Sequence, residues 1–260
     1  MNTAVYKGML SLFFFMMLFD KGLAQRDQMI ISLSDPAARG MLTFSNPKGS
    51  VKITGYSGNT LIIAATTRFN SGSDNEKTGS SLFSASEKSN TVTIYRTESN
   101  RTIDFDLKIP INFSLKVSSR DNGNVEIINI NGDIEASNTQ GDVILKSISG
   151  SAVINSVNGS ISASFLKTNA GTPMMLTSLE GSIELFLPEK TNAELKMRSQ
   201  HGNIFSDFTI KPIHNTGQSA GYKMNPDVGW TSGKLNNGGP EYMISTYNGD
   251  IYLKKTGKTL

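Results

Sequence analysis

The sequence predicts an all-β protein, a parallel β-solenoid with coils of about 18–22 residues and irregular caps. Three observations predict it. Glycines recur every nine residues at Gly123, Gly132, Gly141, Gly150 and Gly159. Between them, apolar residues stand two apart, which is the period of a half-buried strand. No segment has the pattern of a long helix, so the repeat indicates stacked strands joined by tight turns.

The inward-facing positions follow from numbering each nine-residue unit from its glycine. Offsets +2, +4 and +7 are apolar in fourteen of the fifteen positions of this stretch, with Thr139 the exception. They are Val125, Ile134, Val143, Ala152 and Ile161; Ile127, Ala136, Leu145, Ile154 and Ala163; and Ile130, Thr139, Ile148, Val157 and Leu166. We therefore expect all three offsets to face the core, with the glycines at the corners.

One unit is too short to close a coil. A five-residue strand already spans about 16 Å, and the chain must still return to its starting point. Two units make one flattened turn, which predicts coils of about 18 residues. Gly181 and Gly202 come 22 and 21 residues after the preceding corner glycine, and each is followed at +2 by an isoleucine. These spacings extend the predicted range to 22 residues.

The chain is predicted to consist of a signal peptide and one domain, and the domain contains two segments that depart from the repeat. Residues 1–24 combine Lys7, an apolar run from Met9 to Phe19 and a small-residue site at 22–24, which is typical of a signal peptide cleaved before Gln25. A transmembrane anchor is the alternative, which the short apolar run makes the weaker one. Residues 25–260 are predicted to form a single solenoid domain. Within it, residues 68–90 are polar and small and predict a loop excursion, and residues 211–240 predict an irregular C-terminal region. We expect the caps at the first mature residues and within residues 211–260.

Composition excludes several classes of function. The chain has no cysteine, which excludes disulfides, thiolate metal sites and a lipid-modified cysteine at the cleavage site. Lys and Arg number 25 against 22 Asp and Glu, without a block of like charge, so no nucleic-acid partner is predicted. No stretch after the signal peptide is long enough for a transmembrane segment.

The search for catalytic and metal-binding residues leads to no site. Glu126 and Glu135 lie nine residues apart and should fall on opposite faces of the flattened coil, so they form no carboxylate pair. Asp133 and Asp142 follow glycines and are better explained as turn caps than as calcium ligands. His201 occupies the position before a glycine, where a turn residue is expected. We therefore predict no enzyme, no cofactor and no metal.

Aromatic residues near the C-terminus are the candidate ligand-binding residues. Five of them, Tyr222, Trp230, Tyr242, Tyr247 and Tyr252, lie in the last forty residues. Exposed aromatic faces stack on sugars and partner side chains, and Tyr252 at offset +3 is predicted to point outward. Tyr222, Trp230 and Tyr252 are the sites that we single out. Packing of the solenoid cap is the alternative explanation for all of them.

Several stretches together resemble the bacterial putative-adhesin family, a domain family of unknown molecular function. They are "SNPKGSVKITGYSGNTLIIAA", "LKIPINFSLKVSS", the glycine repeat, "LEGSIELFLP", "SQHGNIFSDF" and "GGPEYMISTYNGDIYLKK". They cover most of residues 40–255 in order. The resemblance implies a right-handed β-solenoid and an exported, envelope-associated protein.

These features favour an exported, non-enzymatic interaction module, an adhesin that binds a cell-surface, matrix or glycan ligand. Its location would be the periplasm, the cell surface or the extracellular space. Two alternatives stay open. One is a polysaccharide lyase or hydrolase, because parallel solenoids host such chemistry. The other is a structural or signalling component of the envelope that recognises another protein.

Overall fold

The computed structural model describes residues 26–68, 81–97, 100–213 and 229–257. These residues form 21 β-strands in two sheets and contain no helix. The all-β class predicted from the sequence is therefore confirmed. The predicted signal peptide lies outside the described residues.

The strands are short, from two to nine residues. They are β1 (Arg26–Ser32), β2 (Gly40–Lys48), β3 (Val51–Tyr56), β4 (Thr60–Thr67), β5 (Phe83–Lys88), β6 (Thr91–Arg96), β7 (Ile103–Pro110), β8 (Phe113–Asp121), β9 (Val125–Ile128), β10 (Ile134–Gln140), β11 (Val143–Gly150), β12 (Ala152–Asn158), β13 (Ile161–Thr168), β14 (Met174–Glu180), β15 (Ile183–Leu187), β16 (Ala193–His201), β17 (Ile204–Ser206), β18 (Lys211–Pro212), β19 (Thr231–Leu235), β20 (Glu241–Asn248) and β21 (Ile251–Lys255).

The two sheets are mostly parallel. Sheet A has the strand order β1-β4-β7-β3-β9-β11-β13-β15-β21-β17, and sheet B the order β18-β19-β16-β20-β14-β12-β10-β8-β2-β6-β5. Within the described ranges, antiparallel pairs occur only toward the two ends, where β1, β4 and β7 pair in sheet A and β5–β6, β16–β19 and β18–β19 pair in sheet B. From β8 to β15 the chain alternates between the sheets, so each sheet receives every second strand.

The central register follows the glycine repeat. Val143 on β11 pairs with Val125 on one side and Ile161 on the other, a shift of 18 residues in each direction (143 − 125 and 161 − 143). Ile134 and Ala152 pair in sheet B with the same shift. The next shift is longer, because Ile161 pairs with Ile183. Equivalent residues of successive units are thereby stacked on one another.

The predicted core positions are confirmed at offsets +2 and +4, where all ten side chains are buried. At +7 the prediction holds only for Ile130 and Ile148. Val157 and Leu166 are 39% and 57% exposed, and Thr139 is half-buried. The two inward residues each lie next to a residue with positive φ in the left-handed region, Asn129 and Ser147, which changes the strand alternation. Without such a residue the alternation continues, so offset +6 faces inward and +7 faces solvent.

The corner glycines allow successive coils to approach closely. A Cβ atom placed on Gly141 would lie 2.4 Å from the carbonyl oxygen of Gly123, and one on Gly159 would lie 2.2 Å from that of Gly141. At the opposite corner, a Cβ on Gly150 would lie 2.2 Å from the carbonyl oxygen of Gly132. The recurring glycine is therefore needed for contact between coils as well as for turning the chain.

A row of buried polar side chains supports the corner carbonyls from inside. The row follows the strand register along sheet B and comprises the buried residues Asn46, Ser119, Asn138, Ser156, Ser178 and Thr246 and the partly buried Ser199. Each donates to a glycine carbonyl; for example, Asn138 Nδ2 donates to Gly123 O at 2.9 Å and Thr246 Oγ1 to Gly181 O at 2.9 Å. These bonds satisfy acceptors that burial would otherwise leave unpaired.

The ends of the solenoid differ from the sequence prediction. The last coil, β20–β21, does not cap the stack, because it lies between β14–β15 and β16–β17. Residues 83–88, inside the predicted excursion at 68–90, form β5, since Phe83 and Ala85 face the core at strand spacing. Within the region 211–240 predicted as irregular, Lys211–Pro212 and Thr231–Leu235 form strands β18 and β19.

Candidate functional site: an aromatic corner

Two aromatic pairs flank one corner at the C-terminal end of the stack. Tyr247 on β20 contacts His201 on β16, with ring centroids 4.8 Å apart and an interplanar angle of 79°. Tyr252 on β21 stacks on Phe205 on β17, with centroids 5.1 Å apart and an angle of 13°. The turn Asn248–Gly249–Asp250 separates the tyrosines. We call this surface, Tyr247, His201, Asp250, Tyr252 and Phe205, the C-terminal corner.

The repeat explains how the sequence positions these rings. Tyr247 and Tyr252 stand at offsets −2 and +3 from Gly249, and Phe205 stands at +3 from Gly202. The same offsets hold Thr139 and Ile144 at Gly141, Val157 and Ser162 at Gly159, and Leu179 and Glu184 at Gly181. Earlier coils close the same corner without aromatic rings, so the fold does not require them at these positions.

Asp250 fixes the geometry of the corner. Its Oδ1 accepts a hydrogen bond from the backbone N–H of Asn203 at 2.8 Å, which joins this coil to the β16–β17 coil. Its Oδ2 accepts one from the Tyr252 hydroxyl at 3.0 Å. The hydrogen bond from Asn203, followed by that from Tyr252, lowers the pKa of Asp250. The hydrogen bond to Asp250 raises the pKa of Tyr252, so the pair consists of a carboxylate and a neutral phenol.

The surroundings of Tyr252 combine a cation and an ion pair. Lys254 Nζ lies 5.1 Å from the centroid of Tyr252 and 5.2 Å from that of Phe186 on β15. The same nitrogen donates to Glu184 Oε1 at 3.0 Å. Lys254 thus bridges two rings while a carboxylate neutralises its charge.

The corner leaves much aromatic surface in contact with solvent. Phe205 is 48% exposed and Tyr247 49% exposed. Among the strands that the structure describes, β17 is the edge strand of sheet A, and none of them covers the side of Phe205 that faces away from Tyr252. Solvent-exposed rings beside fixed polar groups suit the recognition of ligands that have both apolar and hydroxyl-bearing surfaces.

The three predicted ligand-binding residues are not brought together. Tyr252 lies in the C-terminal corner. Trp230 precedes β19 and packs against β16 of sheet B, with Lys196 Nζ 5.2 Å and Arg198 Cζ 5.9 Å from its ring. Tyr222 lies outside the described residues.

Of the corner residues, sequence reasoning missed Phe205 and Asp250, assigned His201 to a turn and did not single out Tyr247. Aligning the Gly202 unit with the Gly249 unit would have found Phe205, because it shares offset +3 with Tyr252. Tyr242, from the same aromatic cluster, is fully buried and belongs to the core.

Glu126 and Glu135 both form ion pairs with lysines of neighbouring strands. Glu126 on sheet A lies between Lys146 and Lys52, with N–O distances of 2.7 and 3.6 Å, and its hydrogen bond from Lys146 lowers its pKa. Glu135 on sheet B pairs with Lys116 at 2.9 Å. The two glutamates therefore lie on different sheets, as predicted.

The two aspartates cap turns of neighbouring coils. Asp133 Oδ1 accepts from Ser151 N at 3.2 Å, and Asp142 Oδ1 from Ser160 N at 2.9 Å. Over the described ranges, no three acidic or histidine side chains converge to hold a metal ion. The same residues contain no helix of the length and apolarity needed to cross a membrane.

Comparison with known families agrees with the fold. The Toastrack DUF4097 family matches residues 13–254, so the chain belongs to this family, a domain of unknown function. The resemblance drawn from the sequence is thereby confirmed. No curated protein sequence matches the chain.

Two solved structures are similar over most of their length. One is a putative cell adhesion protein from Clostridium sporogenes, with 11% identity, a TM-score of 0.45, and coverage of 90% of this chain and 100% of that one. The other is a putative adhesin from Bacteroides fragilis, with 14% identity, a TM-score of 0.40, and coverage of 89% and 97%. At these identities and scores, neither likeness carries an argument about function.

Proposed function

We propose that this protein is an exported, non-enzymatic interaction module, an adhesin that binds a cell-surface, matrix or glycan ligand through the C-terminal corner. One observation carries the proposal. The last two coils place aromatic rings at positions where the preceding coils have threonine, valine, leucine, isoleucine, serine or glutamate. Phe205 and Tyr247 are half-exposed and flank the same turn, and exposed apolar surface that is grouped in this way is typical of interaction sites.

A binding role is better supported than catalysis. The sequence lacks cysteine, and the glutamates considered as catalytic residues are paired with lysines on different sheets. The aspartates after the glycines accept turn hydrogen bonds. A glycosidase would need two carboxylates facing one another across a substrate.

The solenoid proposed for this module is right-handed, with coils of about 18–22 residues. Parallel pairs shifted by 18 residues at Val125–Val143 and by 22 at Ile161–Ile183 support the coil length. Export is supported by the signal-peptide pattern of residues 1–24. Its location is the periplasm or the outside of the cell.

Binding by the corner is testable with matched aromatic variants. Purified residues 25–260 would be assayed by biolayer interferometry on immobilised host cells, extracellular matrix and bacterial polysaccharide. We expect Phe205→Ala and Tyr252→Ala to weaken binding at least tenfold, since each removes part of the stacked pair. Tyr95→Ala is the control, because Tyr95 is 54% exposed on β6 at the other end of the stack.

Two outcomes would contradict the proposal. One is the absence of binding to every preparation, and the other is an equal loss for Tyr95→Ala and Phe205→Ala. Protease treatment of intact cells tests the location, with a periplasmic protein as the control. Loss of the protein while the marker survives supports the cell surface, and full protection excludes an adhesin that acts there.

A further inference from the structure

The outward face of sheet B carries a patch of nine residues without formal charge. The patch spans β12, β14 and β20, which are adjacent strands in the sheet. We call it the uncharged grid, and it consists of Val153, Met175 and Met243; Asn155, Thr177 and Ser245; and Val157, Leu179 and Tyr247. We infer that this grid is a second binding surface, which takes a short segment of a neutral glycan chain.

Strand pairing places the grid residues in three rows along the solenoid axis. Val153 pairs with Met175 and Met175 with Met243, while Asn155 pairs with Thr177 and Thr177 with Ser245. The third row lies between the pairs Ser156–Ser178–Thr246 and Asn158–Glu180–Asn248. A polar row therefore lies between two apolar rows, and the Thr177 hydroxyl bonds to the amide oxygen of Asn155 within it.

Four of the six residues in the apolar rows are exposed, and Met175 and Met243 are half-buried. Val153, Val157, Leu179 and Tyr247 are 36%, 39%, 47% and 49% exposed. Scattered apolar residues are common on protein surfaces, but these four belong to one contiguous block on three neighbouring strands.

The strands on either side of the grid, β10 and β16, carry charged side chains on the same face. On one side, Glu135 of β10 pairs with Val153 in register and forms an ion pair with Lys116 at 2.9 Å. On the other side, Lys196 and Arg198 of β16 pair with Met243 and Ser245. The solenoid thus places charges at these positions elsewhere on the face, and their absence from the grid favours an uncharged ligand.

The size of the grid decides which kind of ligand it fits. With strands about 4.8 Å apart and alternate residues about 6.8 Å apart, it measures about 14 Å by 20 Å, or about 280 Å². A stable protein interface needs about 800 Å² from each partner, so the grid is too small for a second copy of the chain. A glycan of a few sugar units fits this area. The C–H faces of its rings would contact the apolar rows, and its hydroxyls would bond to Asn155, Thr177 and Ser245.

The inference does not depend on the C-terminal corner, although Tyr247 belongs to both surfaces. The tests therefore leave Tyr247 unchanged. Leu179→Asp and Val157→Asp introduce charge into an exposed apolar row and leave the core intact. The matched control is Leu166→Asp, because Leu166 is 57% exposed and lies on β13 of sheet A, outside the grid.

Affinity electrophoresis supplies the measurement, with residues 25–260 run through native gels that contain one polysaccharide each. The neutral probes are dextran, a soluble mixed-linkage β-glucan, galactomannan and xyloglucan, and the acidic probes are alginate and polygalacturonate. We expect retardation by at least one neutral probe and by neither acidic probe. Leu179→Asp and Val157→Asp should each raise the dissociation constant at least tenfold, while Leu166→Asp leaves it within twofold. Phe205→Ala is run alongside them to separate binding by the grid from binding by the corner. Thermal melts of all variants verify folding, and Thr177→Ala tests the polar row without adding charge.

Three results would overturn the inference. They are no retardation by any neutral probe, equal retardation by the acidic probes, and unchanged binding by Leu179→Asp. If Phe205→Ala alone abolished retardation, glycan binding would belong to the corner and the grid would lose its assigned role. If the grid variants alone abolished it, the grid would stand and the corner proposal would lose its glycan ligand.

Discussion

Three glycine-to-alanine substitutions separate the two reasons for which a corner can need glycine. Gly171 has φ of +84° and nothing within 4 Å of a built Cβ, so its alanine variant tests backbone strain alone. Gly150 lacks a positive φ, but its Cβ would lie 2.2 Å from the carbonyl oxygen of Gly132, so it tests close approach alone. Gly141 combines φ of +119° with a Cβ 2.4 Å from the carbonyl oxygen of Gly123.

The expected magnitudes follow from these geometries. An alanine at positive φ costs about 1–3 kcal/mol, less about 0.4–1 kcal/mol because the unfolded chain also loses freedom. Relief of the contact requires a shift of about 1 Å to reach an ordinary C–O distance of about 3.3 Å. The shift moves backbone within a packed stack, for which about 1–3 kcal/mol is expected. We therefore expect losses of about 1 kcal/mol for Gly171→Ala, about 2 kcal/mol for Gly150→Ala and, as the sum of the two effects, about 3 kcal/mol for Gly141→Ala.

Urea unfolding followed by circular dichroism measures these free energies, with wild type and Gly257→Ala as references. Gly257 has φ of +92° and open space around a built Cβ, so it should behave like Gly171. The reasoning is refuted if Gly150→Ala is as stable as wild type, because close approach of the coils would then place no demand on the residue type. Equal losses for Gly141→Ala and Gly171→Ala would refute it in the same way.

Two further predictions concern the inner polar row and an outer ion pair. Thr246→Val removes the hydroxyl that donates to Gly181 O and changes the shape of the side chain little. We expect the free energy of unfolding in urea to fall by about 1–2 kcal/mol. The half-buried Thr177→Val is the control, for which we expect a fall of less than about 0.5 kcal/mol. The pKa of Glu126 is lowered chiefly by the hydrogen bond from Lys146, so its stabilisation is present above the unfolded-state pKa and is lost as the pH falls through the folded-state pKa. The free energy of unfolding should therefore fall less in Glu126→Gln than in wild type when the pH is lowered from 6 to 3, and the difference should be under about 1 kcal/mol. Urea unfolding at both pH values measures it. An equal fall in the two proteins would exclude this contribution.

The sequence predicts the core well where alternation is uninterrupted. Offsets +2 and +4 come soon after a corner glycine. The alternation of inward and outward side chains is not interrupted between the glycine and these positions, so both face the core. Offset +7 follows the residue at offset +6, which has positive φ in the units of Asn129 and Ser147 but not in the other units of the repeat. Serine has no special preference for that conformation, so nothing in the nine-residue pattern distinguishes the unit with Ile148 inside from the unit with Val157 outside.

The candidate site could be predicted only in part, for a similar reason. Tyr252 could be predicted as an outward-facing residue, because it stands at offset +3 of its unit. The contact between Tyr252 and Phe205 depends on the pairing of β21 with β17, which are separated in the chain by β18, β19 and β20. Local patterns specify which way a side chain points, but they leave open which strand lies beside it when two strands carry the same apolar pattern.

The position of the last coil is the clearest case and has a testable consequence. Ile204 and Ile251 follow their glycines at the same offset, so the sequence allows either coil to be the terminal one, yet β20–β21 lies inside. β17 pairs only with β21 among the described strands, and β16 pairs only with β20 and β19. Removal of residues 241–260 should therefore unfold β16 and β17 as well, whereas loss of a true end coil would leave its neighbour folded. Hydrogen–deuterium exchange of peptides from residues 193–206 should show loss of protection, and a chain that ends at Thr256 is the control. Retained protection would mean that β16 re-pairs with β14, and that the inserted coil is dispensable for the end of the stack.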